Sequence, residues 1–366
     1  MTKTKIESGR FASAIGMAAA AASRDALSQF AVVTVSATKK WVAATGTDGV
    51  IQTSVRVGAE TESDWSAAAP AALIAKFAAA LPGGVCEITA APSLLTLDCG
   101  GVRFQTATRK EVGAMSAPKG KAKVYLPEMT LREMLRKTKF AASTDQTRKK
   151  LMGVNVALAK DGTLSMTATD GRRLAHVEYG CGEPGDGGAE FDVTLPTRAV
   201  DALYALLSKN GSQDVTVAAD ASGMMFTGER WTVTCKVIDE RYPNWKQVVP
   251  SDVPHVATIE RKPFVEALER VAIASDSVLL TLAPGRAAFG ANGGDRSAGA
   301  EIADCKIDDG AVYSGLFDPR LLLDALKALD EDAFTMSFNR ETGGVPVVIK
   351  CSAPWFAVVM PQRKED

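Results

Sequence analysis

Three stretches of this chain repeat one pattern at domain-length intervals. They are PAALIAKFAAAL from Pro70, PTRAVDALYALL from Pro196 and PRLLLDALKAL from Pro319. In each, a proline precedes apolar residues at helical spacing. Proline is tolerated where a helix begins, because the first N–H groups have no intrahelical partner to lose, so each proline predicts a helix start. The expected buried positions are Leu73, Ile74 and Phe77, then Ala199, Val200 and Leu203, then Leu322, Leu323 and Leu326. Starts roughly 125 residues apart correspond to about one small domain each. A unit copied in tandem builds a curve, and curved arrays exist to wrap a partner.

A second helix repeats upstream of the first. Phe11, Ala14, Ile15 and Ala18 correspond to Leu131, Met134, Leu135 and Thr138, and then to Phe264, Ala267, Leu268 and Val271. Each set keeps the i, i+3, i+4, i+7 spacing of one buried helix face. A third echo is a strand meeting a tight turn: ATGTDGVIQTSVRV around Asp48, SMTATDGRRLAHVEY around Asp170, and the looser FGANGGDRSAGAEI around Asn292. Asp-Gly between alternating segments signals a hairpin with positive φ at both turn positions. Leu164, Met166 and Ala168 alternate with Thr163, Ser165 and Thr167, and Trp231, Val233, Cys235 and Val237 alternate with Thr232, Thr234 and Lys236. That is the mark of a sheet with one buried face. The expected fold class is α+β, with two helices and antiparallel strands per unit. The linker-like stretches APKGKAK (Ala117–Lys123) and VPSDVPH (Val249–His255) put the expected domains at 1–122, 123–250 and 251–366.

With 366 residues and 46% apolar content the chain can bury several cores. No apolar run has the length of a membrane span, and MTKTKIESGR has no signal-like stretch, so a cytoplasmic protein is expected. The six cysteines are scattered without a C-x-x-C pair and read as buried free thiols. His176 and His255 are the only histidines and neither has metal-ligand spacing, so no metal or cofactor is expected. The glycine-rich pieces LPGGV, ANGGD and GDGG sit at turns; none joins a strand to a helix as a phosphate-binding loop must. An enzyme is not expected.

The net charge of −1 argues against nucleic-acid binding by bulk charge. The cations are nevertheless organised. Arg132, Arg136 and Lys139 lie on the helix side away from Leu131 and Leu135, and Lys76, Arg198, Arg320 and Lys327 fall on polar positions of the proline-led helices. Arg10, Arg24 and the run Arg148, Lys149, Lys150 add to them. Each set alone is what any solvated helix face shows. Repetition adds a second reading, in which equivalent faces share one side and meet phosphates without reading sequence.

Several segments resemble one family, the β subunit of bacterial DNA polymerase III, the sliding clamp. VTCKVIDERYPNWKQVVP has the clamp pattern of aliphatic-Asp, aromatic-Pro, aromatic and terminal proline. FAASTDQTRKKLMGVNVAL followed by LSMTATDGRRLA is similar to the central clamp domain in order and spacing, and FAVVMPQRKED resembles the clamp's ending. The resemblance implies three tandem copies of a clamp domain, two helices packed on antiparallel sheet in each, forming half of a closed ring. Two chains would close head to tail as a homodimer around double-stranded DNA, held without sequence preference.

The resemblance also implies residue roles. A cleft between the second and third domains would bind a short peptide borne by the polymerase III α subunit, the clamp loader and other clamp-motif proteins. Its matching positions are Leu151, Thr169, Gly171, Arg172, Arg173, Leu174, Pro243, Val248, Pro346, Val358, Val359, Met360, Pro361 and Arg363. An apolar floor with an arginine rim suits such a peptide, although TDGRRL is also an ordinary hairpin and VVMP an ordinary buried strand. DNA contacts fall on Arg24, Arg136, Arg148, Lys149, Lys150 and Arg198, with lysine at two positions where relatives carry aromatic residues. Phe104 and Ile273 match the dimer seam. Departures include ALSQFAVVTVSA in place of a proline-rich segment and a tail extended by Lys364, Glu365 and Asp366. The alternative is a clamp-like peptide-binding scaffold that does not encircle DNA.

Overall fold

A computed structural model describes residues 2–120, 122–182, 190–208, 211–303, 305–307, 310–339, 344–352 and 354–362. The chain runs three times through one order: strand, helix, three strands, strand, helix, three strands. The first pass is β1 (Thr2–Glu7), α1 (Ser8–Ala21), β2 (Val32–Thr38), β3 (Trp41–Thr47), β4 (Ile51–Gly58), the short β5 (Glu60–Thr61), β6 (Trp65–Pro70), α2 (Ala71–Ala79), β7 (Val85–Ala91), β8 (Leu94–Cys99) and β9 (Val102–Ala107). The second is β10 (Lys123–Pro127), α3 (Glu128–Lys139), β11 (Gly153–Leu158), β12 (Thr163–Thr169), β13 (Arg173–Gly180), β14 (Phe191–Pro196), α4 (Thr197–Leu206), β15 (Asp214–Asp220), β16 (Gly223–Thr227) and β17 (Trp231–Cys235). The third is β18 (His255–Glu260), α5 (Arg261–Val271), β19 (Val278–Ala283), β20 (Arg286–Asn292), β21 (Ser297–Ala303), the short β22 (Lys306–Ile307), β23 (Tyr313–Phe317), α6 (Pro319–Lys327), β24 (Ala333–Phe338), β25 (Val347–Lys350) and β26 (Trp355–Val359).

The chain divides into two compact units. One is built from Met1–Arg132 and Arg198–Val237, the other from Glu133–Gly182, Asp192–Thr197 and Ile238–Asp366. The first unit holds the sheets β5-β1-β7-β8-β9 and β10-β15-β16-β17-β4-β3-β2-β6; the second holds β14-β11-β12-β13-β26-β25-β24-β18-β22 and β21-β20-β19-β23. All the pairings are antiparallel. Within each unit a ladder joins strands from different passes: β17 pairs β4 from Trp231↔Val55 to Cys235↔Ile51, and β26 pairs β13 from Val359↔Arg173 to Trp355↔Val177.

The upstream helices bury the faces their spacing predicts. Phe11, Ala14, Ile15 and Ala18 are buried, as are Leu131, Met134, Leu135 and Thr138, and Phe264, Ala267, Leu268 and Val271. The proline-led helices differ in detail. Only Pro319 is the first helical residue, behind Asp318, whose Oδ1 accepts from the Arg320 N–H at 3.0 Å. Pro70 and Pro196 end strands, and the helices start one residue later, where Ala71 N–H and Thr197 N–H donate to Ala31 and Met152 carbonyls. Ala199, Val200 and Leu203 are buried as expected. In α2, however, the buried stripe is Ala71, Ile74 and Ala78, while Leu73 is 38% exposed and Phe77 half-buried. Small residues let α2 approach α1 closely, so size misled the choice of face. Leu323 is also only half-buried; α6 buries Leu321, Leu322, Ala325 and Leu326.

The repeated turns are closed by the same bonds. Gly49 and Gly171 have φ of 86° and 89°. Asp48 Oδ1 accepts from the amides of Val50 and Ile51, and Asp170 Oδ1 from those of Arg172 and Arg173. Thr47 and Thr169 hydroxyls donate to Ile51 and Arg173 carbonyls at 2.7 and 2.6 Å. The loops therefore hold three residues, not two, with the aspartate replacing backbone acceptors. Asn292 keeps one such bond, to Gly294 N–H at 3.2 Å. Thr167 is buried where alternation predicts exposure, because His176 occupies the opposite face as well; Val237 lies beyond the end of β17.

Gly46 is among the glycines required by close approach. A Cβ on Gly46 in β3 would sit 1.9 Å from the Ala18 carbonyl oxygen of α1, whereas one on Gly58 would meet nothing within 4 Å. Gly46→Ala is expected to cost about 2 kcal/mol or more through helix displacement, and Gly58→Ala to stay within about 0.5 kcal/mol. Urea unfolding of the two variants checks this; equal midpoints would refute the contact.

Candidate functional site

The β13–β26 ladder sets residues 184 and 180 positions apart side by side: Leu174 faces Val358 and His176 faces Phe356. Alternation along the strands turns these four toward one side. Leu174 and Val358 join Val348 in a buried cluster, with Trp245, Val249, Val253 and Phe356 packed against it. The segment after Tyr242, including a 3₁₀ turn at Trp245–Val248, lies against that face. Between this segment, the Thr169–Arg173 turn and the end of β26 runs a largely apolar groove of about 380 Å³.

Of the residues expected at the cleft, Leu151, Thr169, Gly171, Arg173, Leu174, Pro243, Val248, Pro346, Val358 and Met360 line this groove. Arg172, Val359 and Pro361 do not. Val359 follows Val358 on the strand, so it points to the opposite face and is fully buried. Arg172 stands at the hairpin tip, its guanidinium 3.7 Å from Asp318, and Pro361 is half-buried past the strand end. Arg363 lies outside the described residues. Asn244 and Trp245 line the groove as well and were missed, although both sit inside the YPNWKQVVP motif that pointed there.

The arginine rim is less cationic than expected. The Arg173 side chain is 13% exposed and donates to Asp170 at 3.1 Å and Asp324 at 2.6 Å, with Phe140 beneath its guanidinium. Two carboxylates neutralise it, so it acts as a strut holding the turn against α6 rather than as a free charge. Met360 is 37% exposed at the mouth, and its backbone N–H donates to Arg172 O at 2.8 Å. An unbranched thioether there adapts to different apolar guests.

His176 supports the groove from below. Its ring packs at a tilt of 31° against Trp245 with centroids 4.3 Å apart, Nδ1 meets Thr167 Oγ1 at 2.8 Å, and Nε2 meets Glu178 Oε1 at 3.0 Å. Burial holds its pKa below the ordinary value, against the opposing pull of Glu178. Among the described residues no group of His, Cys, Asp and Glu could hold a metal ion. All six cysteines are free; burial pushes the Cys86 and Cys235 thiols up to about 12, which leaves them as inert protonated thiols.

The cations expected at DNA divide in two. Arg24, Lys149 and Lys150 are exposed. Arg148 donates to Asp170 O at 3.0 Å and lies 3.5 Å from Asp145, which ties the Lys149–Lys150 loop to the Thr169–Arg173 turn beside the groove. Arg198 pairs with Asp48 at 2.9 Å, and Arg136, with a side chain 20% exposed, is engaged by Glu133 and Asp330. Arg132 is not a free charge either: it donates to the Tyr204 and Leu207 carbonyls at the end of α4 and stacks on Tyr204. Phe104, on the outer strand β9, stacks on Phe77 at 4.4 Å, and Ile273 is 79% exposed after α5.

A histidine whose folded pKa is depressed contributes stability that is complete above its unfolded pKa, near 6.5, and is lost as pH falls through the folded value. Wild-type stability should therefore drop below about pH 6.5 more steeply than that of His176→Gln. Parallel urea titrations from pH 7.5 to 5 test this; identical slopes for the two proteins would show that His176 is not the buried neutral ring described.

Two family models match the chain: the DNA polymerase III beta subunit central domain over residues 125–244 and its C-terminal domain over residues 246–363. The beta sliding clamp of Synechocystis is 30% identical over 309 residues, covering 76% of this chain and 77% of that one. The beta sliding clamp of Streptomyces coelicolor is 27% identical over 332 residues, covering 86% and 87%. Among solved structures, the DNA polymerase III subunit beta of Pseudomonas aeruginosa superposes with a TM-score of 0.90 at 22% identity, covering 99% and 100% of the two chains. A sliding clamp of Bartonella birtlesii bound to griselimycin gives 0.90 at 24%, with the same coverage. The motifs, the threefold element order and these matches agree, and the chain belongs to the family of bacterial DNA polymerase III β subunits, the β sliding clamps.

Proposed function

We propose that this chain is a processivity factor for DNA replication: a ring-forming clamp that encircles duplex DNA and tethers a polymerase through the groove on β13 and β26. Its domains are 1–122, 123–250 and 251–366, each one pass through the repeated element order. The groove is the observation that carries this reading. It is apolar and bounded by a turn whose amides are already bonded, so an extended peptide can enter without disturbing the sheet. The guests are the polymerase III α subunit, the clamp loader and other proteins bearing a similar motif. Arg172 at the hairpin tip, Val359 on the opposite face of β26 and Pro361 past the strand end belong to its surroundings.

Two protomers close head to tail in the cytoplasm, Phe104 on the outer strand β9 meeting Ile273 of the partner subunit. An outer strand offers unpaired N–H and C=O groups for such a seam. Arg24, Arg148, Lys149, Lys150 and, less strongly, the paired Arg136 and Arg198 attract the phosphate backbone without reading bases. Topology does the holding, so contacts with DNA stay weak and the ring slides. The chain's part in this is to bind and to enclose; it supplies no reacting group.

Two outcomes are expected. Once loaded on a nicked circle, the protein stays bound and is lost when the circle is linearised; equal retention on both forms would contradict encirclement. Met360→Ala weakens polymerase-peptide binding by about 1–3 kcal/mol, as removal of an anchor contact does. Unchanged affinity in calorimetry would take Met360 out of the groove.

A further inference from the structure

Across the Trp245 ring from the groove lies a second, larger hollow of about 570 Å³. Leu174, His176 and Glu178 share one face of β13. Leu174 lines the groove, His176 and Glu178 line the hollow, and Trp245 lines both. On β26, Val358 and Phe356 divide the same way. The hollow is mostly apolar, walled by Trp245, Phe356, Val249 and Pro250, with the exposed Lys246 and Lys350 also bordering it. Among the described residues neither lysine has a carboxylate within ion-pair distance. Glu178, the one carboxylate lining the hollow, lies 3.0 Å from His176.

We propose that this hollow is a second docking point for the groove's own protein partners. It receives a segment flanking the groove peptide that carries an aromatic residue beside carboxylates. The inference rests on the groove being the peptide site. Charge and shape define the segment: the apolar wall takes a ring, and two ammonium groups without a carboxylate partner, Lys350 and Lys246 (the latter 5.7 Å from the Trp245 ring centroid), take acidic side chains next to it. The shared Trp245 wall defines its source, because an extended chain advances about 3.3 Å per residue, and a segment leaving the groove reaches the hollow within a few residues. Once the first site is filled, the second binding event is intramolecular and gains from effective concentration. A nucleic-acid strand fits less well. It asks for a continuous cationic track, and the hollow contains Glu178.

The test uses the full chain and two synthetic peptides: a pentapeptide with leucine and phenylalanine anchors, and the same peptide extended at each end by Gly-Trp-Asp-Glu. Fluorescence anisotropy should show the extended peptide binding roughly tenfold tighter. Lys246→Glu with Lys350→Glu should remove that gain while leaving the pentapeptide's affinity unchanged. Equal affinities for the two peptides overturn this inference and leave the groove intact. A loss of pentapeptide binding in the double variant also overturns it, because the lysines would then be supporting the groove itself. Displacement of the extension by a single-stranded oligonucleotide of equal charge would assign the hollow to nucleic acid. If neither peptide binds wild-type protein, the groove reading fails and this one falls with it.

Discussion

Everything at the groove depends on the antiparallel ladder between β13 and β26. Its bonds run from Arg173↔Val359 to Val177↔Trp355 and join the middle of the chain to its end. Register is the decisive variable: a one-residue slip of β26 would turn Val358 away and present Val359 beside Leu174. Several contacts hold it. Met360 N–H donates to Arg172 O beyond the last pair, Glu178 N–H donates to Pro354 O at the other end, and Trp355 Nε1 donates to Lys137 O on α3. The groove is thus a by-product of a specified strand pairing, with its shape settled before any guest arrives.

The same architecture occurs in the first unit, where β4 and β17 form the matching ladder and Thr47-Asp48-Gly49 repeats the turn. One side chain changes its use. Ser23 N–H donates to Phe30 O as Ser143 N–H donates to Leu151 O, so Phe30 and Leu151 hold corresponding places. The Phe30 ring presses against Gly49, within 3.0 Å of where a Cβ would be, while Leu151 forms one wall of the open groove. Duplicated backbone thus carries a phenylalanine packed on its turn glycine in one copy and a groove-lining leucine in the other.

Charge follows a similar economy. Many of the cations that look available in the sequence are spoken for: Arg132 by carbonyls, Arg136 by Glu133 and Asp330, Arg173 by Asp170 and Asp324, Arg198 by Asp48. Such engagement of each guanidinium by carbonyls or carboxylates lowers the positive field toward phosphates. For a clamp that must slide, a modest field suits better than a strong one, since each added phosphate contact deepens the wells along the duplex.

Period and order were legible in the residues alone. The threefold repeat, the upstream helix faces and the Asp-Gly turns follow from spacing and motif, because helical and strand periodicities express which face is buried; the positions expected at the groove came from the resemblance to the clamp family, not from periodicity. What the residues alone could not decide was which neighbours meet. Leu73 looks like core and is exposed because alanines let α2 approach α1; Val359 looks like lining and is turned away by alternation; Arg173 looks like a cationic rim and is neutralised by Asp324, 151 positions later. Trp245 went unmarked because its role comes from His176 beneath it, on a strand far from it in sequence. Local pattern sets the elements and their faces. Pairing, volume and charge balance between distant segments exist only once the chain has folded.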